Sequence, residues 1–211
     1  MARPMQDRAI RTRKMILRAA AEVFDEYGYA GSSISKIIDR AGLTQGAMYF
    51  HFKSKEDLAR AVINGQAGDL QLPDRPAGLE QLISLCFHLA RQLREDALFR
   101  AGVSLAVEQG QLGIRDFTPY DMWSDLFRAE FEAAAQAGEL LPDVDTVEVA
   151  RLLVASYTGC QLMSNLLTHR ADLPGRIAQL WHYLLPGIAT PEISAQLRAS
   201  LDARATAGWS A

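Results

Sequence analysis

The sequence predicts an all-α protein with two parts, a small N-terminal domain and a larger helical one. Apolar residues recur at three- and four-residue spacing through most of the chain, and we find no strand-like alternation of useful length. An abrupt corner at residues 41–55, AGLTQGAMYFHFKSK, joins two short helices. A Gly- and Pro-rich stretch at 65–78, GQAGDLQLPDRPAG, marks a linker. We therefore predict domains at 1–53 and 79–211, joined by a helix and linker at 54–78.

The composition favours a globular protein of the cytoplasm. The chain has 211 residues, 49% of them hydrophobic and 22% charged, which is enough for a proper core. No apolar run is long enough to span a bilayer, and the N-terminus lacks the apolar stretch of a signal peptide. We expect Cys86 and Cys160 to be reduced structural thiols, because both lie among apolar residues. No Cys/His spacing resembles a zinc site, and we expect neither metal nor cofactor.

The net charge of −3 conceals an asymmetry along the chain. Residues 1–60 contain 11 Lys+Arg and 7 Asp+Glu, for a net charge of +4, whereas the remaining residues contain 11 and 18, for −7. A basic segment on an acidic remainder indicates that only the basic segment meets a polyanion. A chance imbalance between solvated faces is the alternative, and the pattern within the basic segment has to decide.

A first amphipathic helix is predicted at 8–27. Leu17, Ala20, Ala21 and Phe24 follow its apolar periodicity, and Gly28 supplies a C-terminal stop. Cations at a helix N-terminus oppose its dipole, so their concentration there favours contact with phosphate. The cations concerned are Arg3, Arg8, Arg11, Arg13, Lys14 and Arg18.

The corner has the signature of a helix-turn-helix motif, two helices joined by a short turn containing Gly. Ser32 or Ser33 caps the second helix, whose buried stripe is predicted to be Ile34, Ile37, Ile38 and Ala41. Gly42 ends that helix, Leu43 fills the corner and Thr44 caps the third helix. Ser54 is predicted to cap a fourth helix, with Asp57 as its capping-box partner.

The third helix is predicted to enter the major groove of DNA by its N-terminal end. Gln45 can pair with adenine through two hydrogen bonds, and Gly46 allows the backbone to approach DNA closely. Ala47, Phe50 and Phe52 are expected to face inward. The residues expected to contact DNA are Arg11, Lys14, Ser33, Thr44, Gln45, Gly46, Met48, Tyr49, His51, Lys53 and Lys55.

Helical patterns fill the rest of the chain, near 79–95, 97–110, 119–137, 144–169, 173–185 and 190–205. The stretch at 147–167 is apolar on more than one face, and a helix that is apolar all round is buried on all sides. One face on a partner subunit and one on an internal cavity is the simplest arrangement, with a fully wrapped helix in a monomer as the alternative. Leu180, Trp181, Leu184 and Leu185 would complete the partner surface. The apolar residues of the stretch are Leu152, Leu153, Val154, Tyr157, Leu162, Met163, Leu166 and Leu167.

The segment TRKMILRAAAEVFDEYGYAGSSISKIIDRAGLTQGAMYFHFKSKEDLARAVI resembles the DNA-binding domain of the tetracycline-repressor (TetR) family. A narrower likeness is to the γ-butyrolactone autoregulator receptors of antibiotic-producing bacteria. It rests on the MYFHFKSKEDLA run, RAG at 100–102, Trp123, LLVASYTGCQLMSN at 152–165 and LWHYLLPGIATP at 180–191. One departure is Gln45, where those receptors carry Lys, and it bears on operator preference.

The resemblance implies a homodimeric repressor that binds near-palindromic double-stranded operator DNA, controls antibiotic genes and leaves when a small lactone or butenolide binds. It also implies that Gln66, Trp123 and Thr158 touch the ligand, with Gln66 and the fourth helix carrying the change to the DNA-binding domain. From the residues alone, Trp123 also fits an ordinary core, and Thr158 also fits a bond to its own helix. Further expected cavity residues are Leu85, His88, Leu89, Leu105, Val107, Phe127 and Leu162.

Two other functions remain open at this point. A relative that has lost the lactone response would sense another signal, such as an antibiotic intermediate. A helical enzyme acting on a hydrophobic substrate is the second alternative. No nucleophile motif or second ligand accompanies His88, and the other three histidines, His51, His169 and His182, are equally isolated. We therefore expect no catalytic residues.

Overall fold

The computed structural model describes residues 3–68, 70, 72, 75–110 and 116–207, which form helices joined by turns. Within these ranges, the β pairing is limited to an isolated bridge between Leu140 and Ala189. The all-α prediction is confirmed. The helices are α1 (Arg3–Gly31), α2 (Ile34–Ala41), α3 (Gln45–His51), α4 (Lys55–Gly65), α5 (Leu79–Glu95), α6 (Ala97–Val107), α7 (Thr118–Gln136), α8 (Thr146–Thr168), α9 (Leu173–Ile188), α10 (Pro191–Arg198) and α11 (Leu201–Thr206).

The chain divides into two compact units. The first unit contains residues 1–70 and 95–119, and the second contains 71–94 and 120–211. Helix α6 therefore packs with the N-terminal helices, whereas the sequence-based boundaries assign it to the larger domain. The predicted helix positions agree with α5 to α9 within a few residues, but the last predicted helix, 190–205, is divided into α10 and α11 at residues 199–200.

Local signals in the first unit act as the sequence predicts. Helix α1 begins before the predicted residue 8, and Gly28 interrupts it with φ 66° and ψ 171°. Ser33 caps α2 by accepting from the Lys36 N–H at 3.2 Å. Gly42 adopts the left-handed conformation that ends α2 (φ 65°), which costs a residue without a Cβ little. Thr44 then accepts from the Ala47 N–H at 3.3 Å, so α3 begins at Gln45, with only Leu43 and Thr44 between it and Gly42.

The fourth helix begins with a reciprocal cap. The Ser54 hydroxyl accepts from the Asp57 N–H at 3.0 Å, and the Asp57 carboxylate accepts from the Lys53 N–H at 2.9 Å. The predicted capping pair is therefore present, although Asp57 reaches the residue before the cap. These caps fix where α4 begins relative to α3.

Helix α6 completes the core of the first unit. Its Ala101, Leu105 and Ala106 are buried in the same cluster as residues of α1 to α4. A Cβ placed on Gly102 would lie 2.6 Å from the Cβ of Gln66 and 3.0 Å from the carbonyl oxygen of Val62, so α6 meets α4 without space between them. On α1, Asp25 accepts from the Arg100 guanidinium at 2.6 and 2.9 Å. The cluster members from α1 to α4 are Ile16, Ala19, Ala20, Ala21, Val23, Phe24, Ile37, Met48, Phe52, Leu58, Ala59, Val62 and Ile63.

A buried carboxylate begins α5 in the second unit. Glu130 of α7 accepts from the backbone N–H groups of Ala77 and Gly78 at 2.8 and 3.1 Å, and from the Gln81 side chain at 2.6 Å. Glu139 accepts from the Leu79 N–H at 2.9 Å. Negative charge at a helix N-terminus satisfies donors that have no partner within the helix. The start of α5 is therefore fixed by two carboxylates that lie 49 to 60 positions later in the chain.

The core of the second unit centres on Trp181 and Tyr157. The Tyr157 hydroxyl donates to the Cys86 carbonyl oxygen at 3.1 Å, and burial raises the pKa of the Cys86 thiol to about 12. Trp181 and Leu185 are fully buried within the chain, so their assignment to a partner surface is wrong. In the apolar run around Trp181, helical spacing alone did not identify the outer face.

A polar cluster ties the end of α8 to the start of α9. One Asp172 oxygen accepts from the hydroxyls of Ser164 and Thr168 at 2.5 and 2.7 Å. The other accepts from the Arg176 guanidinium at 2.7 and 2.8 Å. The Arg176 guanidinium, followed by the two hydroxyls, holds the pKa of Asp172 well below its usual range. This carboxylate is therefore ionised at neutral pH.

Candidate functional site

Helix α3 is oriented differently from the sequence-based prediction. Met48, expected to face DNA, is 1% exposed and belongs to the core of the first unit. Phe50, expected to face inward, is 80% exposed, while Phe52 is buried as predicted. Met48 and Phe52 are four residues apart and share one face, so they displace the alternative pair of Ala47 and Phe50. We correct both assignments: Met48 is a core residue, and Phe50 joins the outward set.

The outer side of α3 presents polar and aromatic groups. Gln45, Gly46, Tyr49 and Phe50 are exposed, and the Phe50 and His51 rings meet edge-on with centroids 5.0 Å apart. Nothing lies within 4 Å of a Cβ placed on Gly46, so the first turn of the helix is open to an approaching surface. The exposed amide of Gln45 and the rings of this helix can contact bases, sugars or phosphates.

Eight cations of the first unit have no carboxylate within 4.0 Å among the residues that the structure describes. Three of them, Arg13, Lys36 and Lys55, lie over aromatic rings, which leaves five. By contrast, Arg40, Arg60 and Arg100 of the same unit are paired with Glu or Asp. Unpaired cations are available to phosphate, whereas paired ones contribute to the fold. We call this set the cationic surface; its members are Arg8, Arg11, Lys14, Arg18 and Lys53.

Other cations of the first unit are occupied by the fold. The Lys55 ammonium donates to the Ser32 carbonyl oxygen at 2.8 Å and lies 4.2 Å from the Tyr29 ring centroid. Partial burial lowers the pKa of Lys55. Lys55 therefore has a structural role, and its contact with phosphate stays a prediction. Arg13 lies over the Phe52 ring at 4.8 Å and so joins the basic part of α1 to the end of α3.

Several of the expected effector residues belong to the second unit. The Trp123 and Phe127 rings of α7 lie 6.2 Å apart, and Phe127 is buried, whereas Trp123 is half-buried. On α5, Leu85 and Leu89 are buried and His88 is half-buried. On α8, the Thr158 hydroxyl donates to the Val154 carbonyl oxygen at 2.8 Å, which is the local bond left open by the sequence. Its oxygen remains an acceptor. Leu162 of α8 is exposed.

The other expected effector residues belong to the first unit. Gln66 is buried, and its amide donates to the Ile63 carbonyl oxygen at 2.9 Å. Leu105 is buried in the core of this unit, and Val107 is exposed at the end of α6. Each of these side chains thus has a structural role or a solvent position, and a ligand contact for them remains a prediction.

An apolar surface covers the outside of α8 and α9. Residues 152–168 contain no charged side chain, and Leu166 is 75% exposed. An open groove of about 440 Å³ runs beside Tyr183 and is lined by Cys160, Arg176, Gln179, Leu180 and Leu184. Contiguous apolar patches of this kind mark interaction sites. We call it the leucine face; its members are Leu152, Met163, Leu166, Leu167 and Tyr183.

Two family models match the chain. The model described as "Bacterial regulatory proteins, tetR family" matches residues 16–62, which contain α2, α3 and the caps described above. The model described as "Tetracyclin repressor-like, C-terminal domain" matches residues 76–190. The chain belongs to the TetR family. It is accordingly a DNA-binding regulator of the TetR repressor type and not an enzyme.

Individual relatives narrow the comparison. The A-factor receptor protein of Streptomyces griseus is 38% identical over 193 residues, which are 92% of this chain and 69% of that protein. The crystal structure of TylP, a TetR regulator from Streptomyces fradiae, superposes with a TM-score of 0.78 at 37% identity, covering 94% of this chain and 99% of TylP. A γ-butyrolactone receptor structure superposes with a TM-score of 0.72 at 32% identity, covering 94% and 98%.

In the described ranges, every helix is too short or too polar to cross a bilayer. No group of three His, Cys, Asp or Glu side chains in those ranges is arranged to hold a metal ion.

Proposed function

We propose that this protein is a repressor that binds a near-palindromic operator as a homodimer and is released by a γ-butyrolactone or butenolide-type signal. In this proposal it controls antibiotic genes in the manner of a quorum-sensing receptor. The observation that carries the DNA-binding half is the exposed side of α3, with the cationic surface in the same unit. The relatives carry the ligand half, because one is an A-factor receptor and another is a γ-butyrolactone receptor.

The DNA contacts divide into two kinds. Gln45, Tyr49 and Phe50 are exposed on the recognition helix, where side chains reach base edges. In this proposal, phosphate is contacted by the five members of the cationic surface together with Ser33, Thr44 and His51. Such contacts position a protein without selecting a sequence. Gln45 favours adenine at its position.

The leucine face supports the homodimer. An exposed apolar patch is costly in water, and a two-fold interface buries the same patch of both copies. Two recognition helices one turn of DNA apart, roughly 34–36 Å, would then meet two half-sites.

The effector part of the proposal centres on Trp123. Its half-buried ring beside Phe127 offers a flat apolar contact, and Thr158 offers an acceptor. Gln66, Leu85, His88, Leu89, Leu105, Val107 and Leu162 stay proposed ligand contacts. The ligand shifts the DNA-binding equilibrium by its differential affinity for two states, typically about 1–3 kcal/mol per coupling.

The first test is fluorescence anisotropy on DNA from the protein's own upstream region, with and without a panel of γ-butyrolactones and butenolides. The proposal expects tight binding that one compound reverses, and loss of that reversal in Trp123→Ala but not in Trp123→Phe. Tight binding that no compound reverses would favour a relative that responds to another signal, such as an antibiotic intermediate.

The second test measures the salt dependence of operator binding. Arg11→Gln removes a free cation, so the slope of log affinity against log salt should fall by about one unit if Arg11 contacts phosphate. Arg60→Gln is the matched control, because Arg60 is paired with Glu56 at 2.9 Å. Equal slopes for the two variants would remove Arg11 from the interface.

A further inference from the structure

Gln161 is the one side chain in the buried stripe of α8 whose polar atoms are left without partners in the described part of the chain. It is 1% exposed, and neither its Nε2 nor its Oε1 has a hydrogen-bond partner there. Its neighbours on the same stripe are satisfied: the Tyr157 hydroxyl donates to Cys86 and the Ser164 hydroxyl to Asp172. The orphaned amide is therefore a local exception and not a property of the helix.

An unpaired buried amide is unfavourable. Moving it out of water costs the hydrogen bonds that it made there, and no described residue replaces them. Leucine or methionine would fill the same volume without that cost. Because native proteins satisfy nearly all buried polar groups, a carboxamide at this position indicates a partner beyond the described residues.

The position of Gln161 links it to the proposed effector site. It follows Thr158 by three residues, and residues so spaced are neighbours on a helix surface. The Thr158 proton is committed to Val154, so Thr158 can only accept. Gln161 supplies what is lacking, an N–H donor together with a second acceptor. The amide carries no charge and therefore matches a neutral ligand.

We propose that the buried carboxamide of Gln161 anchors the effector by donating to a carbonyl oxygen and accepting from a hydroxyl of the same small, neutral molecule. A hydroxylated lactone ring has both groups. This inference rests on the proposed function, since it names the polar contact of the same effector site. A plain lactone satisfies only the donor and leaves the Oε1 atom unpaired, so the hydroxyl is the feature that Gln161 selects.

The test uses the full-length protein and pairs of γ-butyrolactones that differ by replacement of one hydroxyl with hydrogen. Affinities are measured by isothermal titration calorimetry for the wild type, Gln161→Met and Gln161→Leu. The wild type should prefer a hydroxylated compound by about tenfold, the scale of one hydrogen bond, and both variants should lose that preference. Gln136→Met, an exposed Gln on α7, is the matched control and should keep it.

The melting temperatures of the unliganded variants show whether the buried amide of Gln161 destabilises the protein. Both apolar variants should melt at or above the wild-type temperature, because they remove an unsatisfied group. The ratio of affinities for the two paired compounds also separates loss of a specific contact from distortion of the binding site. A distorted site weakens the binding of both compounds equally.

Each remaining outcome is decisive. An undiminished preference for the hydroxylated compound in both variants, or the absence of any lactone binding to the wild type, overturns the assignment and leaves an internal water as the partner of Gln161. Lactone binding that depends on Gln161 but does not release operator DNA supports the anchor, while it rejects the release step of the proposed function.

Discussion

The cationic surface of the first unit and the leucine face of the second are both uncovered, but they differ in chemistry. The first combines five cations with no carboxylate in range among the described residues, whereas the second includes a helical run from 152 to 168 without a charge. A polyanion satisfies the first through phosphate contacts, and an apolar protein surface satisfies the second. The difference indicates two partners, one polyanionic and one apolar. Single substitutions on one surface should affect one kind of binding and leave the other unchanged.

The largest effect is expected on the leucine face. Leu166→Glu leaves the single chain folded, because Leu166 is largely exposed in it, but places a carboxylate in a surface that pairing would bury. An uncompensated buried charge costs about 3–5 kcal/mol, so the proposed dimer should dissociate. Sedimentation equilibrium should show the mass falling from twice 23.3 kDa to 23.3 kDa. Ala135→Glu adds the same charge at an exposed position of α7 and should leave the mass unchanged. A dimeric Leu166→Glu protein would place the interface elsewhere.

The next largest effect is expected on α3, where two nearby residues, Met48 and Phe50, should contribute to different properties. Met48→Ala should lower the free energy of unfolding by about 2–5 kcal/mol, because it empties a buried site. Phe50→Ala should change that free energy by less than about 0.5 kcal/mol and instead weaken operator binding. Urea denaturation and operator titration measure the two quantities. Loss of stability in Phe50→Ala, with full DNA affinity, would reverse the assignment of the two faces.

A smaller effect is expected at the contact between α6 and α4. Gly102→Ala should destabilise the protein by about 1–3 kcal/mol, because the new methyl group meets Gln66 and Val62 within 3.0 Å. Gly175→Ala is the matched control. Nothing lies within 4 Å of its Cβ, so replacing a helical Gly there should stabilise by about 0.5–1 kcal/mol. Urea denaturation of both variants measures the change in the free energy of unfolding. Equal changes in the two variants would mean that α6 does not pack against α4 as described.

The smallest effect concerns pH. The folded state lowers the pKa of Asp172, so this carboxylate contributes stability above the ordinary carboxyl pKa, and that contribution is lost as pH falls below it. Its side chain is 37% exposed, which screens the pair with Arg176. Asp172→Asn should therefore cost about 1 kcal/mol or less at pH 7, and the gap from wild type should narrow between about pH 4 and pH 2.

The check is the urea midpoint of both proteins across that range. Asp125→Asn, from a more exposed pair with Arg128, is the control and should shift the midpoint at pH 7 less. If the difference in urea midpoint between wild type and Asp172→Asn widened on acidification, the folded state would not lower the pKa of Asp172.

The corner of the first unit could be predicted from sequence because independent local signals agree there. Gly42, Thr44 and the Ser54–Asp57 pair each have one strong conformational role, and each was found in that role. The faces of α3 could not be predicted in the same way. Apolar residues occupy 47–50 and 52, so a seven-residue helix offers two competing stripes, and only packing against α1 and α4 selects Met48 and Phe52.

Burial and contacts that depend on residues distant in the sequence could not be predicted from it, for a different reason. Trp181 and Leu185 lie in an apolar run where inner and outer positions have the same composition. The occupied state of Lys55 depends on Tyr29 and Ser32, which are distant in sequence. Gln161 did have a signal, because it is the single carboxamide in a buried stripe whose other polar groups are hydroxyls. Its lack of a partner becomes visible only when the surrounding side chains are placed. The DNA and ligand contacts stay predictions until they are measured.

The membership of α6 in the first unit limits how the protein can be divided. The polypeptide leaves the first unit after residue 70, returns at 95 and leaves again after 119. A DNA-binding fragment that stops at residue 70 lacks Ala101, Leu105 and Ala106, and would expose the core that they cover. A chimera that grafts this recognition helix onto the sensor of a relative must therefore exchange residues 95–119 along with the N-terminus. The DNA-binding unit consists of two separate segments of the chain, so a chimera with a single crossover point would leave its core incomplete.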